Sequence, residues 1–196
     1  MDNTSPFCFL GGMSDVIETK RLLLRRPTEN DVSRIVEALA DFDICRNLAR
    51  VPWPYHRDDA LDFLKFMASC DRRSRFSAIC TRESGERLLG MISYEWSDAK
   101  QDAELGYWLD TTHWGQGLMT EAATAMVEHA FTSNKHPQLV SCFHDDNPIS
   151  GKILSRVGFE RVGACSNFSK AQGKDIPVTN MKLTQQRWLK MKNAGI

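Results

Sequence analysis

The chain has 196 residues, enough for one domain that buries roughly 70% of the surface its unfolded form would expose. Lysine plus arginine and aspartate plus glutamate number 25 each, a balance that excludes a whole-chain field steering the protein onto nucleic acid or an anionic membrane. No apolar run approaches the roughly 18 residues of a membrane span, so neither a nucleic-acid nor a membrane partner is expected.

From the N-terminus, residues 1–15 read as a loose leader. Their apolar PFCFLGG lacks a basic stretch before it and a cleavage site after it, which argues against a signal peptide, and Met13 is an alternative start. Residues 18–27 (ETKRLLLRRP) give an apolar strand with basic flanks, ended by proline. Thr28-Glu-Asn-Asp31 is a capping-box-like start, with Asp in place of Glu, to a helix whose Val32, Ile35, Val36 and Leu39 keep helical spacing. Residues 41–55 are irregular, because Pro52 and Pro54 stop helix and strand alike. A second helix follows over residues 58–69, then strands at 76–81 and 88–96 joined by a polar, glycine-containing turn at 83–86.

Residues 103–131 (AELGYWLDTTHWGQGLMTEAATAMVEHAF) organise the rest. They predict a short strand, a tight turn containing Gly115 and Gly117, and a long amphipathic helix from Leu118. The first amides of such a helix lack intrahelical partners and point into the turn, where the helix dipole adds positive potential; the turn is built to hold an anion. It is not a P-loop, since Leu118 and Met119 stand where Lys and Ser or Thr are needed, nor a dinucleotide fingerprint, since Thr120 replaces the third small residue. Downstream, residues 139–143 form a strand, and Pro148 opens a helix that ends at Val157 before Gly158. Residues 159–162 and 178–183 are closing strands flanking a loop at 165–175, and residues 185–192 make a helical tail. This order predicts an α+β fold, a layered and mostly antiparallel twisted sheet with helices on both faces, as a single domain over residues 16–184.

The phrase HWGQGLMTEA, the strand before it and the opening ETKRLLLRRP resemble the GNAT superfamily of N-acyltransferases, and in particular its RimJ/RimL branch, which acetylates protein N-termini or small amines. The likeness spans roughly residues 16–184. The wider superfamily has Gln or Arg three residues before the first glycine, where this chain has Thr112. The resemblance implies acetyl-CoA as co-substrate, with main chain at Leu109 pairing the pantetheine amides like an added strand and residues Trp114, Gly115, Gln116, Gly117, Leu118, Met119 and Thr120 around the pyrophosphate. A β-bulge near Asp110 would help splay the strands.

Strand alternation puts Glu104, Gly106 and Trp108 on one face and Leu105, Tyr107 and Leu109 on the other. A carboxylate beside Trp108 within an apolar segment is uncommon unless paired or functional. Partial burial would suit Glu104 to take up a proton near neutral pH, and it is the candidate base; the alternative is a solvated or salt-bridged glutamate on an open sheet face. Asn147-Pro-Ile-Ser150 followed by Gly158-Phe159 resembles the family segment beside the pantetheine arm. There Asn147 would contact the cofactor while also capping its helix, and Ser150 would face the thioester sulfur. Tyr107 and His144 are the other candidate proton donors. An α-amine with a pKa of about 7.8 is partly neutral already, whereas deprotonating a lysine costs about 4 kcal/mol at neutral pH, so one modest base suffices for an N-terminus.

The six cysteines, Cys8, Cys45, Cys70, Cys80, Cys142 and Cys165, show no C-x-x-C pair and read as reduced, packed thiols of a cytoplasmic protein. Cys142 lies in an apolar strand, so transfer is expected to be direct, with no acyl-enzyme. The five histidines form no metal-ligand spacing. The expected activity is acetyl-CoA-dependent acetylation of a protein N-terminal amine by a monomer or homodimer. The alternatives are the same chemistry on a small amine, such as a polyamine, an amino acid derivative or an antibiotic, and a non-catalytic acyl-CoA-binding module. An acidic pocket would favour polyamines and an open groove peptides.

Overall fold

The structure, a computed structural model, describes residues 16–83, 85 and 87–195. The leader, Met13, Cys8 and part of the 83–86 turn lie outside the described residues. Eight strands form one sheet: β1 (Ile17–Glu18), β2 (Leu22–Arg25), β3 (Arg75–Thr81), β4 (Leu88–Ser97), β5 (Asp102–Leu109), β6 (Gln138–His144), β7 (Glu160–Ser169) and β8 (Lys174–Thr184). Their spatial order is β1-β2-β3-β4-β5-β6-β8-β7. Every neighbouring pair is antiparallel except β5 and β6, which run parallel.

Helices cover both faces. On one, α1 (Val32–Leu39), α2 (Phe42–Cys45) and α3 (Arg57–Ser69) pack against Ala78, Cys80, Leu88 and Met91. On the other, α4 (Leu118–Thr132) and α5 (Pro148–Val157) bury Leu105, Leu109, Leu139 and Leu183. α4 buries Leu118, Met119, Ala122, Ala123, Met126, Val127, Ala130 and Phe131. These residues fall in two adjacent ridges spaced by four, and the alanines let the helix axis approach the sheet closely. α6 (Gln185–Asn193) is anchored on this same side, with Trp188 against Phe131 at 5.3 Å and Arg187 Nε donating to Gly158 O at 2.8 Å.

Several expectations are corrected. The strand expected over 18–27 is two, broken at Thr19–Arg21, where Leu22 N donates to the Thr19 hydroxyl at 2.9 Å. The irregular 41–55 stretch contains α2, capped by Asp41, whose carboxylate accepts Asp43 N at 2.9 Å. Residues 165–175 are for the most part not a loop but the ends of a long β7–β8 hairpin. Its tip rests on the segment after α2, with Lys170 N donating to Ala49 O at 3.0 Å and Gln172 Nε2 to Arg46 O at 2.9 Å. Cys165 is exposed, not packed, while Cys45 and Cys80 are buried. Among the described residues no helix is long and apolar enough to cross a membrane.

The capping box is present: Asp31 accepts Thr28 N at 2.8 Å and is gripped in bidentate fashion by Arg25 at 2.8 and 2.7 Å. That pair ties the end of β2 to the start of α1. The bulge sits one strand away from where it was expected. Register runs unbroken from β4 to β5, but between β3 and β4 it shifts so that Ile79 faces Gly90 and Cys80 faces Leu88. Leu89 is thereby left over, and its carbonyl takes Asp110 N at 2.8 Å, steering the end of β5. A Cβ on Gly90 would lie 2.3 Å from Trp108 O and 2.8 Å from Leu109 Cα. Gly90→Ala should therefore cost about 1–3 kcal/mol, as overpacking does; urea unfolding with a midpoint equal to wild type would refute this close approach.

His129 on α4 is half-buried beneath β4, its Nδ1 hydrogen-bonded with the Tyr94 hydroxyl at 2.8 Å. Burial, with the neighbouring Arg75 charge, pushes its pKa down to about 4. The unfolded chain binds a proton near 6.5, so the depressed native value gives stability that is complete above that pH and lost as pH falls toward 4. We expect the unfolding midpoint to drop between pH 7 and 5, and a smaller drop in His129→Phe; equal slopes in the two proteins would count against it.

Candidate active site

The parallel β5–β6 ladder consists of two residue pairs, Ala103 with Leu139 and Glu104 with Val140. Beyond them the strands part. Asp110 N bonds toward β4, so alternation turns the main chain of Leu105, Tyr107 and Leu109 toward β6. Side chains replace the missing ladder: Ser141 Oγ donates to Leu105 O at 2.8 Å and Trp114 Nε1 to Leu109 O at 2.7 Å. Tyr107 is left facing the gap with no β6 residue paired to it. The gap opens into a cleft of about 780 Å³, within the roughly 300–1,000 Å³ of small-molecule sites. It runs from the glycine turn through the parted strands to the side of the sheet that carries α1–α3.

The turn is held from two directions. Asp110 accepts Thr112 N at 2.9 Å and the Thr112 hydroxyl at 2.6 Å, and pairs with Arg34 of α1. Burial pushes its carboxyl up, but the Thr112 bonds and Arg34 outweigh it and hold it at about 2. From the β2 side, Arg21 Nη1 donates to Gln116 O at 2.9 Å and Nε to Glu121 at 2.6 Å, while Thr19 Oγ1 donates to Glu121 at 2.6 Å. Gly115 and Gly117 have φ of 75° and 74°, which non-glycine residues rarely adopt. Gly117 caps α4 without any side-chain acceptor, so the helix's first amides are open. An anion fits: a Cβ at Gly115 would meet nothing within 4 Å, and one at Gly117 only Arg21 Nη2 at 3.7 Å.

Of the expected cofactor residues, Leu109, Trp114, Gly115, Gly117, Leu118, Met119, Thr120 and Asn147 line the cleft, as do Glu104 and Ser150. Gln116 does not. Its Nε2 turns back to Thr112 O at 3.3 Å. Leu118 and Met119 side chains are core, leaving only their main chain to offer. Leu109 O is already taken by Trp114, so Tyr107 is the residue whose peptide groups remain for a strand-like partner. Asn147 caps α5, accepting Ser150 N at 3.3 Å. Sequence reasoning missed Arg21 and Glu121; the signal was Glu121 in the first turn of α4, where a carboxylate suits the helix dipole.

Tyr107 and Ser150 form one unit on the α5 side, their hydroxyl oxygens 2.9 Å apart. Burial pushes Tyr107 up to about 12, with Ser150 pulling it partway back, so it keeps its proton at neutral pH. Glu104 projects to the opposite face. It is exposed, contrary to the partial burial expected, because the strands part directly after it and Gly106 offers no side chain to cover it. Directly across β4 stands Glu95, engaged by Arg50 at 2.8 Å. Cys142, on the same face, is raised to about 11, by burial first and then by the Glu104 charge, and stays a thiol. His144 is buried with Nδ1 unpartnered, and burial lowers its pKa, which makes it a poor acid at neutral pH.

A split parallel pair beside an anion-holding turn, with hydroxyls on one face and a carboxylate on the other, suits acyl transfer from a phosphate-bearing thioester. Comparison decides the family: residues 21–160 match the Acetyltransferase (GNAT) domain. The chain belongs to the GNAT acetyltransferase family. It is 24% identical over 177 residues to the uncharacterized N-acetyltransferase p20 of Bacillus licheniformis, a match covering 89% of this chain and 98% of that protein. It is 36% identical over 75 residues to the ribosomal-protein-serine acetyltransferase of Escherichia coli (strain K12), covering 38% of this chain and 42% of that one. The spermidine N-acetyltransferase of Vibrio cholerae, in complex with CoA and spermine, superposes with a TM-score of 0.75 at 17% identity, covering 87% and 99% of the two chains. This GNAT protein is an acyltransferase enzyme, and its mostly antiparallel mixed sheet is the family fold.

Gly117→Val forces a β-branched residue into the left-handed region, at about 1–2 kcal/mol, and crowds the open helix amides. CoA affinity by calorimetry should fall about 10-fold or more, with the melting temperature measured alongside; full affinity in the folded variant would remove the turn from the binding site.

Proposed function

We propose that this GNAT enzyme transfers acetyl directly from acetyl-CoA to a primary amine, with a protein N-terminal α-amine as the acceptor, in the manner of the RimJ/RimL branch. The observation that carries the reading is the arrest of β5–β6 pairing, which leaves Glu104 and the Tyr107–Ser150 pair reaching one cleft from opposite faces. The local 36% identity to a ribosomal-protein acetyltransferase supports the choice of acceptor. A free small amine is the second reading, favoured by the fold match to a spermidine acetyltransferase.

The residues divide the work. Amides from Gly115 to Thr120 hold the pyrophosphate, and the Tyr107 main chain hydrogen-bonds the pantetheine arm. Acetyl-CoA supplies an activated carbonyl and a good leaving thiolate. On the α1–α3 side Glu104, directly or through one water, takes the proton the amine must lose as the new N–C bond forms. On the α5 side the hydroxyl pair donates to the sulfur as the C–S bond breaks, and solvent restores both groups. Tyr107 keeps its proton at neutral pH, so the pair stands with a hydrogen to donate, and Ser150 passes it on. Cys142, held as a thiol, takes no acyl group.

Release of free CoA against a panel of N-terminal peptides and small amines tests the activity. Glu104→Gln should lower kcat about 100-fold at pH 7 with acetyl-CoA affinity unchanged, and the defect should shrink above pH 8, where an α-amine deprotonates unaided. Ser150→Ala and Tyr107→Phe should each lower kcat, and the double variant by less than the product of the two. A Glu104→Gln enzyme with wild-type turnover at pH 7 would remove the carboxylate from the mechanism.

A further inference from the structure

The acceptor half of the cleft is apolar and carries little usable charge. Its wall is built from Leu48, Val51, Phe63, Phe66, Met91 and Trp108. Leu48, Val51, Phe63 and Trp108 are only half-buried, and Phe66 is 39% exposed. Met91 belongs to the core and the others pack against it or its neighbours on one side, while the exposed part of Phe66 and of the half-buried residues leaves aromatic and aliphatic surface on a concave wall.

Most charges on this side already have a bonded partner. Glu95 is held by Arg50, whose guanidinium also lies over the Phe66 ring at 5.8 Å. Asp59 accepts His56 N at 2.8 Å at the start of α3, and Asp62 is bonded to Lys65 at 2.8 Å. Glu104 has no hydrogen bond or ion pair among the described residues. One carboxylate without a bonded partner therefore faces a cleft whose lining also holds Asp59 and Asp62 and the cations Arg50, Arg156 and Lys170. An extended polyamine would satisfy one ammonium at Glu104 and lay others, stripped of water, on the hydrocarbon of the wall. A singly charged amine with an apolar neighbour would use both features: the amine meets Glu104, and the substituent covers the wall.

We propose that the acceptor is a primary amine of single charge bearing an aliphatic or aromatic substituent beside the amine, either a free amine or the first residue of a peptide. This rests on the transferase reading with Glu104 facing the amine. The experiment measures CoA release at saturating acetyl-CoA with Phe-led, Leu-led and Ser-led tripeptides, phenethylamine and spermidine. The Phe- and Leu-led peptides should exceed the Ser-led peptide in kcat/KM by about 10- to 100-fold, the range a few methylenes in an apolar pocket supply, and spermidine should be poorest. Phenethylamine turning over as well as the peptides would identify the substituent alone as what is read; peptides far ahead of it would identify a chain N-terminus. Either fits the proposal. Phe66→Ala, with its melting temperature measured alongside because the ring also touches Phe63 and Phe76, should raise KM for the Phe-led peptide about 10-fold and leave KM for acetyl-CoA unmoved. A Ser-led peptide or spermidine matching or beating the Phe-led peptide overturns this inference while the transferase reading stands. No release with any amine, although calorimetry detects acetyl-CoA binding, overturns both.

Discussion

The cleft depends on β5 and β6 ceasing to pair after Glu104 and Val140. A sheet that stops bonding in its middle leaves donors and acceptors that must be satisfied or pay a desolvation penalty. The chain meets most of this locally: the Ser141 hydroxyl takes the place of an amide at Leu105 O, and the Trp114 indole does the same at Leu109 O. What remains open at Tyr107 is a stretch of strand edge inside a pocket. A ligand that carries its own amides can complete the ladder there, which is how an interior edge is kept without inviting aggregation.

An arrested ladder is useful only if both strands are fixed independently, and charged pairs at the end of β5 supply that fixity. Arg34 holds Asp110 from the α1 side, while Arg21, Thr19 and Glu121 hold the far end of the turn from β2 and α4. Partly buried ion pairs of this sort contribute little net stability once desolvation is counted, but they penalise any geometry in which the partners separate. Leu89, left over by the bulge, completes the frame by carrying Asp110 N. The turn is thus set by contacts from α1, the β2 side, α4 and β4, not by its glycines alone.

Much of this frame was legible in the sequence, where a feature was local. The strand, turn and helix from Ala103 onward, the Thr28–Asp31 box and the Asn147-Pro148 start each follow from residues within four positions of one another. What failed was whatever needed a distant partner. The later part of β7 and the start of β8 carry polar residues and Pro177, which look like loop; they are strand because they pair with each other, with β7 exposed at the sheet edge. Glu104 was expected to be half-buried because its neighbours in sequence are apolar, but its cover would have had to come from β6, which turns away. Arg21 sits in what reads as a continuous strand, and only the break at Thr19–Arg21 sends its side chain across to Glu121.

The same arrest would let the proposed base and proton donor share one reaction from opposite faces of a sheet. Residues 104 and 107 lie three apart on β5, so alternation assigns them to different faces, about 10 Å apart along the strand. In a fully paired sheet the backbone of the next strand would wall them off from each other. With β6 drawn aside, the proposed mechanism would bring the amine to an acyl carbon between the strands from the Glu104 face and release its sulfur toward the Tyr107–Ser150 face, so nucleophile and leaving group would not compete for one channel. That division would also leave the α1–α3 wall free to be shaped by the acceptor alone, because on the proposed mechanism the pantetheine arm and its phosphates would be held by the turn and by α4 and α5. Variation in what is acetylated can then be confined to α1–α3 and the β7–β8 tip, without disturbing the frame that holds the donor.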